Sequence, residues 1–304
     1  MRLGLITDEV GQDLEEALDL AEEFGIRDVE LRSVWGKNVI QLSAEEVARV
    51  GRLIRARGMR VVSVAGPVYK CHLHSDEKQK TGDLHGAPED LPPAAHLELL
   101  RREIALAEEW GAPFVRTFAF WRDQESLSET ILDEVAAALR RLLEVMAASG
   151  SGCRLLLENE HACYVGSGAE VEALWQRPGL DGLGLIWDPG NAFWRGERPY
   201  PDGFRAVLRG PGGERLLHVH VKDARRTGDQ RHPYAWSAVG EGEIDFPCQF
   251  AALAEMGYQG VLSLETHWRP AGGNGKEASR HSLQGMVRAL EKAGLTRDEE
   301  GDWK

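Results

Sequence analysis

Residues 216–223 read LLHVHVKD, an apolar run that also contains two histidines, a lysine and an aspartate. Successive side chains of a β-strand point to opposite faces, so His218, His220 and Lys222 share one face, and Val219 and Val221 occupy the other. The polar face indicates a functional site only if polar residues on neighbouring strands lie next to it. The interpretation of this stretch therefore depends on the rest of the chain.

Seven further runs of similar length and character are spread along the sequence. They are LGLIT (3–7), DVELRS (28–33), RVVSVAG (60–66), FVRTFAF (114–120), RLLLEN (154–159), LGLIWD (183–188) and GVLSLETH (260–267). Segments with helical periodicity lie between them, such as 14–24, 44–57 and 131–147. Eight such β-α units predict an α/β protein, a single (β/α)8 TIM barrel that spans residues 1–304. An open doubly wound sheet is the alternative, but no GxGxxG follows the first strand.

Local signals support these boundaries. Ser43 with Glu46 three residues later predicts a capping box, and Asp245 before FPCQFAALAEM predicts a helix cap. The main irregularity is residues 67–95, a long polar connection between the third strand and its helix. This loop is interpreted either as a cover for an active site or as a tolerated insertion.

Composition excludes several classes of function. The chain has 36 basic and 49 acidic residues, a net charge of −13, and no basic stripe that would attract nucleic acid. No apolar run approaches the roughly 18 residues of a membrane span, and MRLGLITDEV does not resemble a signal peptide. The four cysteines form no CxxC pair, so a reducing cytoplasm is the expected location.

Four consecutive predicted strands carry a polar residue at or near their carboxyl ends: Glu158, Asp188, His220 and Glu265. Parallel strands of a barrel place these ends at one mouth, where barrel enzymes build their active sites. Three carboxylates and an imidazole would repel one another there without a cation between them. The sequence therefore predicts one divalent metal ion. Mn²⁺ is the first expectation, and Mg²⁺, Co²⁺ or Zn²⁺ also suit this donor set.

The motifs LLLEN, IWDPGNAF, HVHVKD, VGEGEIDF and LSLETHW occur in an order and spacing that resemble the xylose isomerase-like TIM-barrel superfamily. That group includes sugar phosphate isomerases/epimerases, ketose 3-epimerases, hydroxypyruvate isomerases and inosose dehydratases. The resemblance covers nearly the whole chain. Its motifs are specific for a metal site and unspecific for the substrate.

The resemblance implies roles for individual residues. Glu158, Asp188, His220 and Glu265 match the family's metal ligands, and Glu158 and Glu265 match its acid/base pair. Arg226 matches an arginine that contacts substrate oxygen. Asn191 stands where ketose epimerases often have a substrate-binding histidine, which is a departure from that subgroup. Lys222, predicted to contact substrate, is similar to a lysine of inosose dehydratase-like members.

The implied chemistry is proton transfer through a cis-enediolate, next to a carbonyl that the ion polarises. The expected enzyme is an isomerase or epimerase of a small sugar or polyol, with or without a phosphate group. An inosose dehydratase-like lyase uses the same site and stays open, as does a sugar-binding barrel without catalysis. A repair enzyme similar to endonuclease IV is less favoured because its ligand motif matches poorly. Relatives often form dimers or tetramers, so a homo-oligomer is compatible with the resemblance.

Further substrate contacts are predicted from residues near other strand ends. Glu30 on the second strand, Lys70 just after the third and His267 beyond Glu265 are candidates for binding sugar oxygens. A salt bridge explains Glu30 equally well, and a solvated loop face is the commoner outcome for a residue placed like Lys70. Tryptophans 35, 121 and 194 follow strand ends and are candidates for the pocket walls. Glycine-rich segments at 240–243 and 272–277 lie where barrels often bind phosphate.

Overall fold

A computed structural model of the chain describes residues 1–74, 91–122, 127–209 and 211–304. Eight strands form a closed barrel in which every neighbouring pair is parallel. Each strand lies beside the next one in sequence, and the last pairs with the first. The strands are β1 Arg2–Ile6, β2 Asp28–Leu31, β3 Arg60–Val68, β4 Phe114–Thr117, β5 Arg154–Glu158, β6 Gly184–Trp187, β7 Leu216–Val221 and β8 Val261–Leu264. The predicted (β/α)8 barrel is confirmed.

Helices follow the strands and cover the outside of the barrel. They are α1 Leu14–Glu23, α2 Ala44–Ala56, α3 His96–Trp110, α4 Glu129–Ser149, α5 Gly168–Trp175, α6 Pro189–Trp194, α7 Phe246–Glu255 and α8 Gly275–Lys292. Short helical turns lie at Thr7–Val10, Val39–Gln41, Pro93–Ala95, Pro199–Gly203, Phe204–Val207 and Gly212–Arg215. Two antiparallel hairpins follow β2 and β7, pairing Ser33–Val34 with Lys37–Asn38 and Asp223–Arg226 with Tyr234–Ser237. In the described residues, no helix has the length and hydropathy needed to cross a bilayer.

The predicted helix caps are present. The Ser43 hydroxyl accepts from the Glu46 amide at 3.3 Å, and the Glu46 carboxylate accepts from the Ser43 amide at 2.8 Å. Asp245 accepts from the Cys248 amide at 3.1 Å at the start of α7. Gly111 ends α3 with φ 69°, a left-handed conformation that glycine adopts without strain. These local signals fix where each helix begins or ends.

The connection after β3 differs in its start from the sequence prediction. β3 continues to Val68, and the helical turn Pro93–Ala95 leads into α3. Residues 75–90 lie outside the described part of the chain. The hypothesis that this loop covers the active site therefore stays a prediction.

Candidate metal centre and substrate cavity

The structure brings the four predicted metal ligands together at the carboxyl ends of β5–β8. Glu158, Asp188, His220 and Glu265 each offer one donor atom, and these atoms lie within 4.8 Å of one another. His220 Nδ1 is 3.4 Å from Glu158 Oε1, 3.9 Å from Asp188 Oδ2 and 3.4 Å from Glu265 Oε2. All four side chains are buried. The geometry gives one compact set of three carboxylate oxygens and one imidazole nitrogen.

The bonding of these atoms tests whether the set fits a divalent ion. His220 Nδ1 is buried without a hydrogen-bond partner within the described residues, whereas Asp188 Oδ2 forms an ion pair with Lys222 Nζ at 3.0 Å. Burial raises the pKa of Asp188 to about 6, and the carboxylates of Glu265 and Glu158 add to that rise. A divalent cation between the carboxylates would remove this repulsion and give His220 Nδ1 a partner. The donor set fits one divalent ion of the kind that accepts oxygen and imidazole ligands.

Asp188 is oriented by its place at the start of α6. Its Oδ1 accepts from the Asn191 amide at 2.8 Å, as a helix cap does, which turns Oδ2 toward the cluster. Asn159 fixes the backbone of Asp188: its side chain accepts from the Asp188 amide and donates to the Asp188 carbonyl, both at 2.8 Å. The sequence IWDPGN thus places one carboxylate oxygen in the helix cap and the other in the candidate metal site.

Buried arginines hold the two candidate acid/base glutamates. Arg116 on β4 donates to Glu158 Oε2 at 2.8 Å, and Arg32 just after β2 donates to Glu265 Oε1 at 2.9 Å. Arg116 also bonds the carbonyls of residues 65 and 66, so its guanidinium is fixed. Both arginines are at most 2% exposed. Neither was predicted as a site residue, although a charge inside the apolar runs FVRTF and VELRS was a signal for it.

The charged groups around Glu158 and Glu265 keep both carboxylates ionised. Burial opposes the charged form of Glu158, but His220 and Arg116 together hold its pKa below the usual range. Burial likewise opposes the charged form of Glu265, but Lys222 and His267 hold its pKa well below the usual range. Ionised carboxylates are the form that binds metal and accepts protons.

Lys222 lies inside the cluster. Its Nζ is 2.8 Å from Glu265 Oε2 and 3.0 Å from Asp188 Oδ2, and it lies 5.2 Å from the ring centroid of Trp236. The side chain is 2% exposed. Lys222, which was predicted to bind substrate, therefore has its ammonium group next to two of the candidate metal ligands.

A cavity of about 420 Å³ opens above the cluster. Of the predicted residues, Glu265, Lys70, His267 and Trp121 line it. His161, Glu160, Arg269 and Trp236 also line it, and none of these four was predicted. Trp236 is carried by the hairpin after β7 and stacks on Trp194 with ring centroids 4.6 Å apart. Aromatic and charged side chains therefore share the walls.

Lys70 and Trp121 reach the cavity because the backbone turns sharply after β3 and β4. Tyr69 and Phe120, the residues before them, have φ of 58° and 59°, and their rings stack with centroids 4.3 Å apart. Left-handed backbone is uncommon for non-glycine residues and is retained where the surroundings enforce it. The stacked pair directs the two following side chains into the pocket wall.

Asn191 does not face the cavity. It is fully buried, and its amide nitrogen donates to Glu158 Oε1 at 3.3 Å and to the Asn159 carbonyl at 2.8 Å. Its Oδ1 lies 2.8 Å from Nδ1 of His161, which does line the cavity. Burial lowers the pKa of His161, but Glu160 at 2.7 Å and Asn191 outweigh it and raise that pKa. Asn191 therefore contacts a residue of the cavity wall and does not line the cavity itself.

Two other predicted contacts lie away from the cavity walls. Arg226 is exposed and pairs with Glu243 at 2.7 Å, because β7 ends at Val221 and the hairpin carries Arg226 outward. Glu30 is fully buried and bonds His218 and His220 deeper in the barrel. Direct contact of either side chain with substrate is not supported by these positions.

In the glycine-rich loop after β7, a candidate phosphate site, the backbone amides already bond a carboxylate side chain. The carboxylate of Asp223 accepts from the amides of Gly240, Gly242 and Ile244 at 2.9, 3.0 and 3.3 Å. It also accepts from the Ala224 amide at 2.8 Å. The amides of residues 240, 242 and 244 are thus bonded to a side chain of the same chain.

A sequence profile of the family described as xylose isomerase-like TIM barrel matches residues 18–290. The chain belongs to this family. The prediction from the strand-end motifs is confirmed.

Curated relatives match part of the chain. The rhizopine catabolism protein MocC of Rhizobium meliloti is 28% identical over 179 residues, which are 54% of this chain and 52% of that protein. An inosose dehydratase of Lacticaseibacillus casei is 25% identical over 164 residues, 50% of this chain and 52% of that protein. The chain spans about half the length of these curated relatives.

Solved structures match over almost the whole chain. L-ribulose 3-epimerase superposes with a TM-score of 0.68 and 19% identity, covering 96% of this chain and 97% of that one. The IOLI protein with a bound zinc atom gives a TM-score of 0.72 and 16% identity, covering 96% and 99%. At this identity the likeness shows the fold.

Proposed function

We propose that the protein is a divalent-metal-dependent isomerase or epimerase that acts on a small sugar or polyol by proton transfer through a cis-enediolate. The observation that carries the proposal is the convergence of Glu158, Asp188, His220 and Glu265 at one barrel mouth, with Nδ1 of His220 buried and without a hydrogen-bond partner in the described residues. Family membership supports it, since relatives of this fold include epimerases and inosose enzymes. Mn²⁺ is the ion we expect first, with Mg²⁺, Co²⁺ or Zn²⁺ as alternatives.

An ion held by these four residues would polarise the substrate carbonyl and acidify the neighbouring C–H bond. Glu158 and Glu265 then divide the proton transfers: one carboxylate takes the proton from carbon, and the same or the other returns it. Return to the adjacent carbon isomerises the substrate, and return to the same carbon from the opposite side epimerises it. Arg116 and Arg32 fix the oxygens of these carboxylates that point away from His220, so the reacting geometry is set before substrate binds.

The cavity walls supply the remaining contacts. Lys70, His161 and His267 line the cavity and offer groups that bond hydroxyl oxygens. Trp121 and Trp236 offer apolar faces for the C–H groups of a sugar. Binding in this cavity would exclude water from the buried glutamates, which strengthens the electrostatic interactions there.

A second candidate is a lyase similar to inosose dehydratase. The curated relatives named inosose dehydratase favour it, although the match covers half of their length. Loss of a β-hydroxyl from the same enediolate gives water and an unsaturated product, so the same glutamates serve both reactions.

Incubation in D₂O with Mn²⁺ and a panel of aldoses, ketoses and inososes, followed by NMR, separates the candidates. Deuterium incorporation with an isomer or epimer as product supports the proposal. Loss of water supports the lyase. Binding of substrate without exchange or turnover would overturn both candidate reactions and leave a sugar-binding barrel. In a separate assay, cleavage of abasic DNA would favour an enzyme similar to endonuclease IV.

A further inference from the structure

Glu30 is a buried carboxylate that the proposed reaction leaves without a role. It lies on β2 with no exposed surface, and it is not among the residues that line the cavity. Its Oε1 is 2.8 Å from Nε2 of His218 and 3.3 Å from Nε2 of His220, and its Oε2 is 3.4 Å from the latter. One carboxylate thus faces the same ring nitrogen of two histidines.

This arrangement decides which nitrogen of His220 carries a proton. Nε2 of His220 faces the carboxylate of Glu30, which accepts hydrogen bonds, and an imidazole that binds an ion through one nitrogen keeps a single N–H on the other. The lone pair then stays on Nδ1, the atom that lies 3.4–3.9 Å from the three carboxylate oxygens of the candidate site. Glu30 therefore selects the tautomer in which the metal-facing nitrogen is free to coordinate.

His218 keeps Glu30 in place. Its ring stands at 86° to that of His220, with centroids 5.4 Å apart, and at 62° to that of Phe114. His218 thus acts as a second donor that prevents the carboxylate from rotating away from His220.

We propose that Glu30 is a positioning residue that makes His220 bind metal through Nδ1. The inference rests on the proposed metal centre, and it concerns the orientation and affinity of one ligand. A purely structural role for Glu30 would affect folding without changing which nitrogen coordinates the ion. The two roles therefore differ in measurable properties that need no substrate.

The first experiment uses the unaltered protein, labelled with ¹⁵N-histidine and loaded with diamagnetic Zn²⁺. We expect NMR to show a metal-bound Nδ1 and a protonated Nε2 for His220, the latter detected through its attached hydrogen. Coordination through Nε2 would overturn the inference. If Zn²⁺ does not bind at all, the proposed metal centre itself fails, and this outcome is distinct from the failure of Glu30's role.

The second experiment measures Mn²⁺ affinity by calorimetry on metal-free protein. Glu30→Leu should bind about 10- to 100-fold more weakly than the unaltered chain, the usual cost of losing such a partner of a ligating histidine. Glu30→Gln should fall between them, because its amide oxygen still accepts one N–H bond. Asp28→Asn is the control: Asp28 is a buried carboxylate on the same strand, bonded to Arg2 and Arg60 instead of a ligand.

Unchanged affinity in Glu30→Leu, with the unaltered chain binding normally, would overturn the inference. Equal weakening in Asp28→Asn and Glu30→Leu would do the same, because the loss would then be general. If neither Glu30 variant folds, the ¹⁵N spectrum of the unaltered protein decides alone.

Discussion

The two halves of the barrel contribute different groups to the site. Strands β5–β8 carry the four candidate ligands at their carboxyl ends. The half built from β2–β4 contributes the guanidiniums of Arg32 and Arg116, which bond Glu265 and Glu158. One half therefore supplies the candidate ligands, and the other supplies the two arginines that fix two of them.

The difference explains why carboxylates can be buried here at all. Removing one partner of a buried ion pair leaves an uncompensated charge, which is strongly destabilising. Each glutamate therefore depends on its arginine for placement and on the shared donor set for function. We expect substitutions in the ligand half to abolish the reaction. Substitutions in the arginine half should slow it, because the glutamates would be misplaced.

Replacing an acid/base carboxylate should have the largest effect. Glu158→Gln keeps the size of the side chain but cannot accept a proton, so we expect exchange of substrate hydrogen with solvent to fall about 10³-fold. Deuterium incorporation measured by NMR tests this. Asp28→Asn is a control, because Asp28 is also a buried carboxylate on a barrel strand but bonds Arg2 and Arg60, away from the candidate ligands. Normal exchange in Glu158→Gln would remove the acid/base assignment.

Loss of the arginine on the other half should have a smaller effect. Arg116→Met leaves Glu158 Oε2 without its donor, and we expect kcat to fall about 10²-fold from the resulting misplacement. Arg116→Lys should recover part of the loss, which simple unfolding would not allow. Arg215→Met is the control, since Arg215 is also buried but pairs with Asp181 elsewhere. Equal rates in the two methionine variants would contradict the division between the halves.

The aromatic wall should affect binding more than chemistry. Trp236→Ala removes one flat face of the cavity, and we expect KM to rise about tenfold with a smaller change in kcat, given the usual strength of aromatic contacts. Steady-state kinetics on the substrate found in the panel measures both constants. A fall in kcat alone would instead connect Trp236 to Lys222, whose ammonium lies against its ring.

The smallest effect is expected at Arg226. Since its side chain is exposed and paired with Glu243, Arg226→Ala should leave kcat/KM within about twofold, the range expected of a surface ion pair. The family resemblance alone would predict a loss of substrate contact at this position. A large loss of activity would show that the hairpin folds over the cavity when substrate binds.

The sequence predicted the ligand half of the site well and the arginine half poorly. Glu158, Asp188 and Glu265 stand where apolar runs end, and parallel strands bring such ends together whatever the rest of the barrel does. The depth of Glu30 depends on the register of β2 against β3, which shifts between Val29 and Glu30. A single strand's pattern contains no information about that shift.

Other misses have equally local causes. Arg116 lies inside a buried strand, where the pattern gives no partner for a charge. Trp236 belongs to a hairpin that was not predicted, because its short strands follow β7 without a helical segment between them. The same hairpin explains the outward position of Arg226.

The Asp223 carboxylate accepts hydrogen bonds from the amides of residues 240, 242 and 244 after β7. This also has a consequence for substrate selection. The Asp223 carboxylate is tethered to the same chain, so its effective concentration at these amides is about millimolar or higher. A phosphate group would have to compete with it for the same N–H donors. Discrimination between phosphorylated and neutral sugars is therefore expected to come from Lys70 or Arg269 at the cavity wall. Selectivity for the sugar would then be set at the cavity wall and not at the glycine-rich turn.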